Sequence, residues 1–365
     1  MKNKQIVTLA VGIINLIAVN CNAQKSIQQD YYEKYLHPIL LNELGNSNLP
    51  DEYHINNIPC ISYQNAYCAS AALQMVAEQK GNIENIDHIN WLMGFTYSFY
   101  FFNNNSFALP YNDPETGYVN ASSYLGLKRN YLITSDSIVF ITNLKKQLTL
   151  NNPLRIALNS STLHDVKGFT PHSILVVGYS KDTIYYYETG IKDRKLLNYS
   201  GERVEISKFL SSIRSISSIF NYPWLYNMTV FDSSIQNNDL EKVWIRNGEL
   251  LIGNVSGPVS TGSKGIKNFS EYIINNELKE SQYFQLAMVL DMGRYTRSDN
   301  ANYIRTNYTR QKFQNIADLF DKSSSLFKEA KQAMQVKDKN TVVEKLNEIS
   351  EIEYTIGKLL TNKEN

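Results

Sequence analysis

Cysteine is scarce in this chain, with three residues among 365, at positions 21, 60 and 68. Neither they nor the five histidines fall into a metal-ligand spacing, so no metal and no other cofactor is expected. An excess of one charge is missing as well. The 36 basic side chains face 35 acidic ones, which removes the bulk attraction that a nucleic-acid partner or an anionic surface needs. The apolar run over residues 6–19 is too short for a convincing membrane span. What the chain does have is tyrosine, 25 of them, with many Asn and Ser, a polar and hydrogen-bonding mix that names no ligand. At 43% hydrophobic residues it reads as globular, with room for one large domain or two smaller ones.

Met1-Lys2-Asn3-Lys4 is a basic start, followed by the apolar run and the small-residue site Cys21-Asn22-Ala23 before Gln24. This pattern predicts a secretory signal peptide over residues 1–23 and an exported chain, periplasmic or secreted. Cys21 offers the alternative of a lipid anchor on the outer surface. Asn20 argues against it, standing where such a site wants a small residue. Export bears on Cys60 and Cys68, because an oxidising compartment invites a disulfide between them.

The most informative stretch begins at Ser62 and ends at Gly81. Polar residues come first, then Cys68, then the helix formers Ala69, Ala71, Ala72, Leu73, Met75, Val76 and Ala77, with Gly81 as the C-terminal stop. Apolar residues lie nearly all the way round, which predicts a buried helix. Cys68 would open it, where the N-terminal N–H groups and dipole favour a thiolate. Gln64 could lend its amide beside the sulfur, with Asn65 as a rival.

Residues 83–93 predict another helix, the aromatic stretch 95–102 a core or cleft wall, and residues 110–118 a loop. Strands at 132–133 and 154–158 flank a helix over 138–148. Past a polar loop with His164, Asp165 and Gly168 comes Thr170-Pro171-His172-Ser173, opening a β-branched strand to Tyr179. A turn at 180–182 and a strand from Thr183 to Glu188 complete a hairpin. Further strands are expected at 204–206 and 225–231, with a helix at 208–213.

A Cys at the head of a central helix, then a Pro-His at the mouth of a Val176-Val177-Gly178-Tyr179 hairpin, resembles the papain-like thiol enzymes. Within them the chain is similar to the bacteriocin-leader-processing peptidases. It is closer to the N-terminal domain of butirosin biosynthesis protein H, where the Cys likewise opens a helix with Ala and Leu that ends in Gly. Cys68, Ala72 or Ala71, Leu73 and Gly81 carry that likeness here. The resemblance covers residues 58–231 and implies an α+β, papain-like fold. It also implies Cys68 as nucleophile, His172 as base and acid, Glu188 as the carboxylate that orients the ring, and Gln64 at the oxyanion. The substrate would be a peptide, amide or acyl thioester, and the reaction acyl transfer or peptide hydrolysis through a Cys68 acyl-enzyme. A non-catalytic binding module with the same fold is the remaining alternative.

The expected division is a signal peptide at 1–23, a papain-like region at 24–232 and a mostly helical region at 233–365. In the last, residues 240–254 are helix or hairpin and 255–267 a Gly/Ser-rich linker. Helices are expected at 269–277, 283–291, 302–334 and 341–360, the last two carrying apolar stripes that pack as core. Arg294, Arg297, Arg305 and Arg310 are expected in solvent.

Overall fold

The structure, a computed structural model, describes residues 36–42, 48–64, 67–103, 107–190, 192–256 and 259–362. The signal peptide, Cys21 and Asn65 lie outside the described residues. Architecture is α+β, with antiparallel sheets and a helical C-terminal region. The chain divides into two compact units that interleave along the sequence. One comprises residues 1–56, 130–187 and 200–231, and the other residues 57–129, 188–199 and 232–365.

The first unit is built on an eight-stranded sheet. From one edge its strands are Ile39–Leu40, Leu127–Thr134, Tyr226–Ser233, Leu154–Asn159, Pro171–Tyr179, Thr183–Glu188 and Glu202–Glu205, with Tyr53–His54 also pairing with Pro171–Tyr179. Ile39–Leu40 runs parallel to its neighbour. The strand Pro171–Tyr179 is antiparallel to Leu154–Asn159, with His172 opposite Leu158. Helices Ser137–Thr149 and Ile206–Ile219 supply the apolar cover: Phe140 stacks on Tyr226 at 5.2 Å and lies 6.4 Å from Phe209. Asp136 caps the first of these by accepting from the N–H groups of Ile138 and Val139.

In the second unit the helix Cys68–Gln79 is buried from Ala69 to Ala77, as its all-round apolar pattern demands. Gly81 follows it at φ +90°, a backbone conformation glycine adopts without strain. The helix Ile86–Met93 is capped by Asn85, whose side chain accepts the His88 N–H. Strands Tyr100–Phe102 and Phe107–Leu109 join Val255–Ser256 and Val259–Thr261 in a four-stranded sheet. Arg194–Leu196 pairs with Cys60–Ser62. The C-terminal helices are Leu240–Ile252, Gly262–Asn275, Glu280–Asn307, Gln311–Gln335 and Lys339–Thr361. Phe95, Tyr97, Phe99 and Phe101 are all buried, so the aromatic stretch is core.

Several local expectations are corrected. The expected loop at 110–118 contains the start of a helix, Pro114–Ser122. Asp113 accepts from the Thr116 N–H and Pro114 sits in the first turn, where its missing N–H costs nothing. The expected linker at 255–267 is two short strands and the start of the Gly262–Asn275 helix. The single helix expected over 302–334 is broken, since Tyr308 turns extended and packs its ring against Trp244 and Phe313 at 5.0 and 4.8 Å. Arg297 is fully buried rather than solvated.

Candidate active site

Cys68 is the first residue of its helix and only half-buried, while the residues after it are sealed in the core. The helix starts cleanly: the Ala71 N–H donates to the Tyr67 carbonyl at 2.8 Å. Cys60 is completely buried in its strand, and the two cysteines are thiols rather than a disulfide. That leaves Cys68 as the cysteine with an exposed face at a positive helix terminus, where a thiolate is stabilised.

The turn carrying Cys68 is clamped from three directions. Ser70 donates to the Asn90 side chain at 2.5 Å, and the Tyr118 hydroxyl donates to the Ala69 carbonyl at 3.0 Å. The Tyr67 hydroxyl donates to an Asp299 carboxylate oxygen at 2.5 Å. Tyr67 caps the helix with its backbone alone, a tyrosine side chain being too long to fold back onto the first N–H groups, and its hydroxyl goes to Asp299.

Gln64 lies in the exposed turn before the helix, and its backbone N–H donates to Asp193 at 2.9 Å. Glu188 ends the second hairpin strand and is 2% exposed. Its carboxylate accepts the Thr189 N–H at 2.9 Å and the Gly190 N–H at 3.2 Å. The segment that follows returns to the approach of the Cys68 helix, where the Tyr63 N–H donates to the Thr189 carbonyl at 3.1 Å. Cys68, Gln64 and Glu188 thus belong to one compact unit. His172, half-buried near the start of its strand, belongs to the other.

Four neighbours carried no signal in the sequence: Tyr67, Asp87, Tyr111 and Asp299. Burial pushes the Tyr111 phenol far above its ordinary value, and the charge of Cys68 adds to the rise. Burial, then the Asp299 carboxylate, does the same to Tyr67. Asp87 is pushed up to about 6, by burial first and by Asp299 second. Asp299 is itself raised by burial, against the lowering effect of the Tyr67 hydroxyl and of Arg294. Tyr67 adjoins Cys68, but Asp299 lies 232 residues beyond Tyr67, on the Glu280–Asn307 helix, out of reach of any local pattern. Among the described residues no group of His, Cys, Asp and Glu could hold a metal ion, and no helix is long and apolar enough to cross a membrane.

Residues 55–209 match the model of the Peptidase_C39 like family. That span includes Cys68, His172 and Glu188, and it makes this part of the chain similar to papain-like cysteine peptidases in a fold of the expected class. No curated protein matches the chain.

Proposed function

We propose that this chain is an exported, cysteine-dependent acyl-transfer enzyme acting on an amide or thioester donor. The observation that carries the reading is Cys68 itself, a partly exposed thiol on the first residue of a buried, clamped helix. The match of residues 55–209 to a cysteine-peptidase family supports it. The Cys68 thiolate attacks the carbonyl carbon, and the oxyanion is met by the Cys68 N–H with Gln64, a stabilisation of about 3 kcal/mol in such sites. His172 takes the thiol proton and returns it to the leaving amine or thiol as the C–N or C–S bond breaks. Water or an amine then attacks the acyl-enzyme, giving its proton to His172 and releasing the Cys68 sulfur. Glu188 holds the imidazole in the useful tautomer.

With water as acceptor the same chemistry is that of a peptidase, a second reading that the family match favours. Product analysis with and without an added primary amine separates the two. The test of the site is mass spectrometry of the full chain after iodoacetamide treatment across a pH series. Cys68 should label with a midpoint below the ordinary thiol value of about 8.5, and His172→Ala should raise that midpoint. A Cys68 that labels as an ordinary thiol, indifferent to His172, leaves only a binding module of the same fold.

A further inference from the structure

We propose that Asp299, acting through Tyr67, is a positioning residue for the Cys68 thiol, so that the C-terminal helical region takes part in setting the reactivity of the nucleophile. The inference rests on the assignment of Cys68 made above. Tyr67 has two attachments. Its carbonyl accepts the first hydrogen bond of the Cys68 helix, from Ala71, and its hydroxyl donates to Asp299 on the Glu280–Asn307 helix. Whatever holds that phenol holds the residue from which the Cys68 backbone departs.

Other contacts from the same helix keep the attachment rigid. Asn300 exchanges hydrogen bonds with Thr96, its side chain accepting from the hydroxyl at 2.5 Å and donating to the backbone carbonyl at 3.0 Å. The Tyr111 hydroxyl donates to the Met292 sulfur at 2.9 Å. Asp299 is thereby held to the Cys68 turn through Tyr67, with Tyr67, Asp87 and Arg294 as the titratable and charged groups it interacts with, while Tyr111 feels the charge of Cys68 itself.

The carboxylate has two opposed effects. Its hydrogen bond orients the helix entry, which favours a well-placed thiol. Its negative charge, hydrogen-bonded to the side chain of the residue that precedes Cys68, opposes the thiolate and raises the pH at which Cys68 ionises. A purely structural residue would have only the first effect. Tyr67→Phe removes the hydroxyl and keeps the ring, so the orienting bond is lost while the carboxyl group stays, titrating somewhat higher without its donor. Asp299→Asn keeps an acceptor oxygen for Tyr67 and removes the charge. The two variants should therefore move Cys68 in opposite directions.

Rates of Cys68 alkylation by iodoacetamide, followed by mass spectrometry from pH 5 to 10 on the full chain, read this directly. Buried Cys60 reports any unfolding. Relative to wild type, Tyr67→Phe should slow labelling at pH 7 by about threefold and raise the midpoint. Asp299→Asn should speed it by about threefold and lower the midpoint, with Cys60 protected in both. The proposal is overturned if the two variants shift the midpoint in the same direction, or if neither shifts it while wild-type Cys68 keeps a depressed midpoint. In that second case the nucleophile assignment stands without it. A wild-type Cys68 that ionises as an ordinary thiol and ignores His172→Ala removes both.

Discussion

Arg297→Met should be among the most damaging single substitutions outside the Cys68 turn. The guanidinium is fully buried and donates to Glu353 twice, from Nε at 2.6 Å and from Nη2 at 2.8 Å. It also donates to the backbone carbonyls of Pro110 at 2.8 Å and Ser98 at 2.9 Å. Methionine keeps much of the apolar stem and removes every one of these donors. Glu353 would be left fully buried, with the Ser323 hydroxyl at 3.1 Å as its remaining described partner. Breaking a buried ion pair from one side costs about 3–5 kcal/mol, and the two orphaned carbonyls fall partly within that figure, so about 4 kcal/mol is expected. A midpoint drop of roughly 8–16 °C follows from the size scaling of unfolding entropy. Urea denaturation read by tryptophan fluorescence would measure it, since Trp91 and Trp244 lie in the same unit with ring centroids 5.2 Å apart. The double variant Arg297→Met with Glu353→Leu should recover most of the loss, because no uncompensated charge remains. A single-variant cost below about 1 kcal/mol, or a double variant no better than the single, would refute the reasoning.

Asp87→Asn tests the raised carboxyl. Its folded value of about 6 lies above the unfolded one of about 3.9, so its contribution is fully present below pH 4 and lost as the pH rises through 6. The variant should therefore gain on wild type by about 1 kcal/mol at pH 7, after allowance for solvent screening, and lose that gain near pH 4 in urea titrations at the two pH values. Gly357→Ala should cost about 1–3 kcal/mol in thermal unfolding, because its Cβ would stand 2.7 Å from the Gly248 carbonyl oxygen and 2.7 Å from Ile252 Cγ1. An unchanged midpoint would show that the helix crossing has slack. Turnover on any amide or thioester substrate should vanish in Cys68→Ala, fall nearly as far in His172→Ala, and fall less in Glu188→Gln, whose amide oxygen can still accept the Thr189 N–H. If Glu188→Gln matched wild type while Asp165→Asn or Asp182→Asn collapsed activity, the orienting carboxylate would be one of those.

The Cys68 helix was legible because a helix apolar on every side has one place to go, and the hairpin from Pro171 to Glu188 because β-branched runs with a short turn leave little choice. Composition misled where small residues serve packing rather than looseness. Gly265 looked like linker, yet a Cβ there would meet the Phe99 carbonyl oxygen at 2.8 Å, so the helix and the aromatic stretch approach closely. Asp113-Pro114 looked like a turn and is a helix cap. Glu188, expected only as the carboxylate that orients a ring, is 2% exposed, and its carboxylate is engaged by the Thr189 and Gly190 N–H groups. The hardest residues to read were Arg297 and Asp299. Arg297 was expected in solvent, yet the Glu353 that meets it in the core lies 56 residues later, and the half-buried Asp299 finds Tyr67 232 residues earlier. Such pairings leave no periodic trace in a sequence.

The interleaving of the chain has a consequence for the order in which it can fold. The unit that holds Cys68 draws on residues 57–129, 188–199 and 232–365. As the polypeptide emerges from the ribosome, its first segment carries Phe95, Tyr97, Phe99 and Phe101, along with the Ser98 and Pro110 carbonyls, before Arg297 has been made. The aromatic surface must wait, exposed, for helices that come last, a high-contact-order assembly prone to association while incomplete. A chain ending at residue 232 should accordingly aggregate, and supplying residues 233–365 separately during refolding should rescue it. If the shorter chain proved soluble, with a cooperative unfolding transition of its own, the nucleophile's unit would close without its last segment.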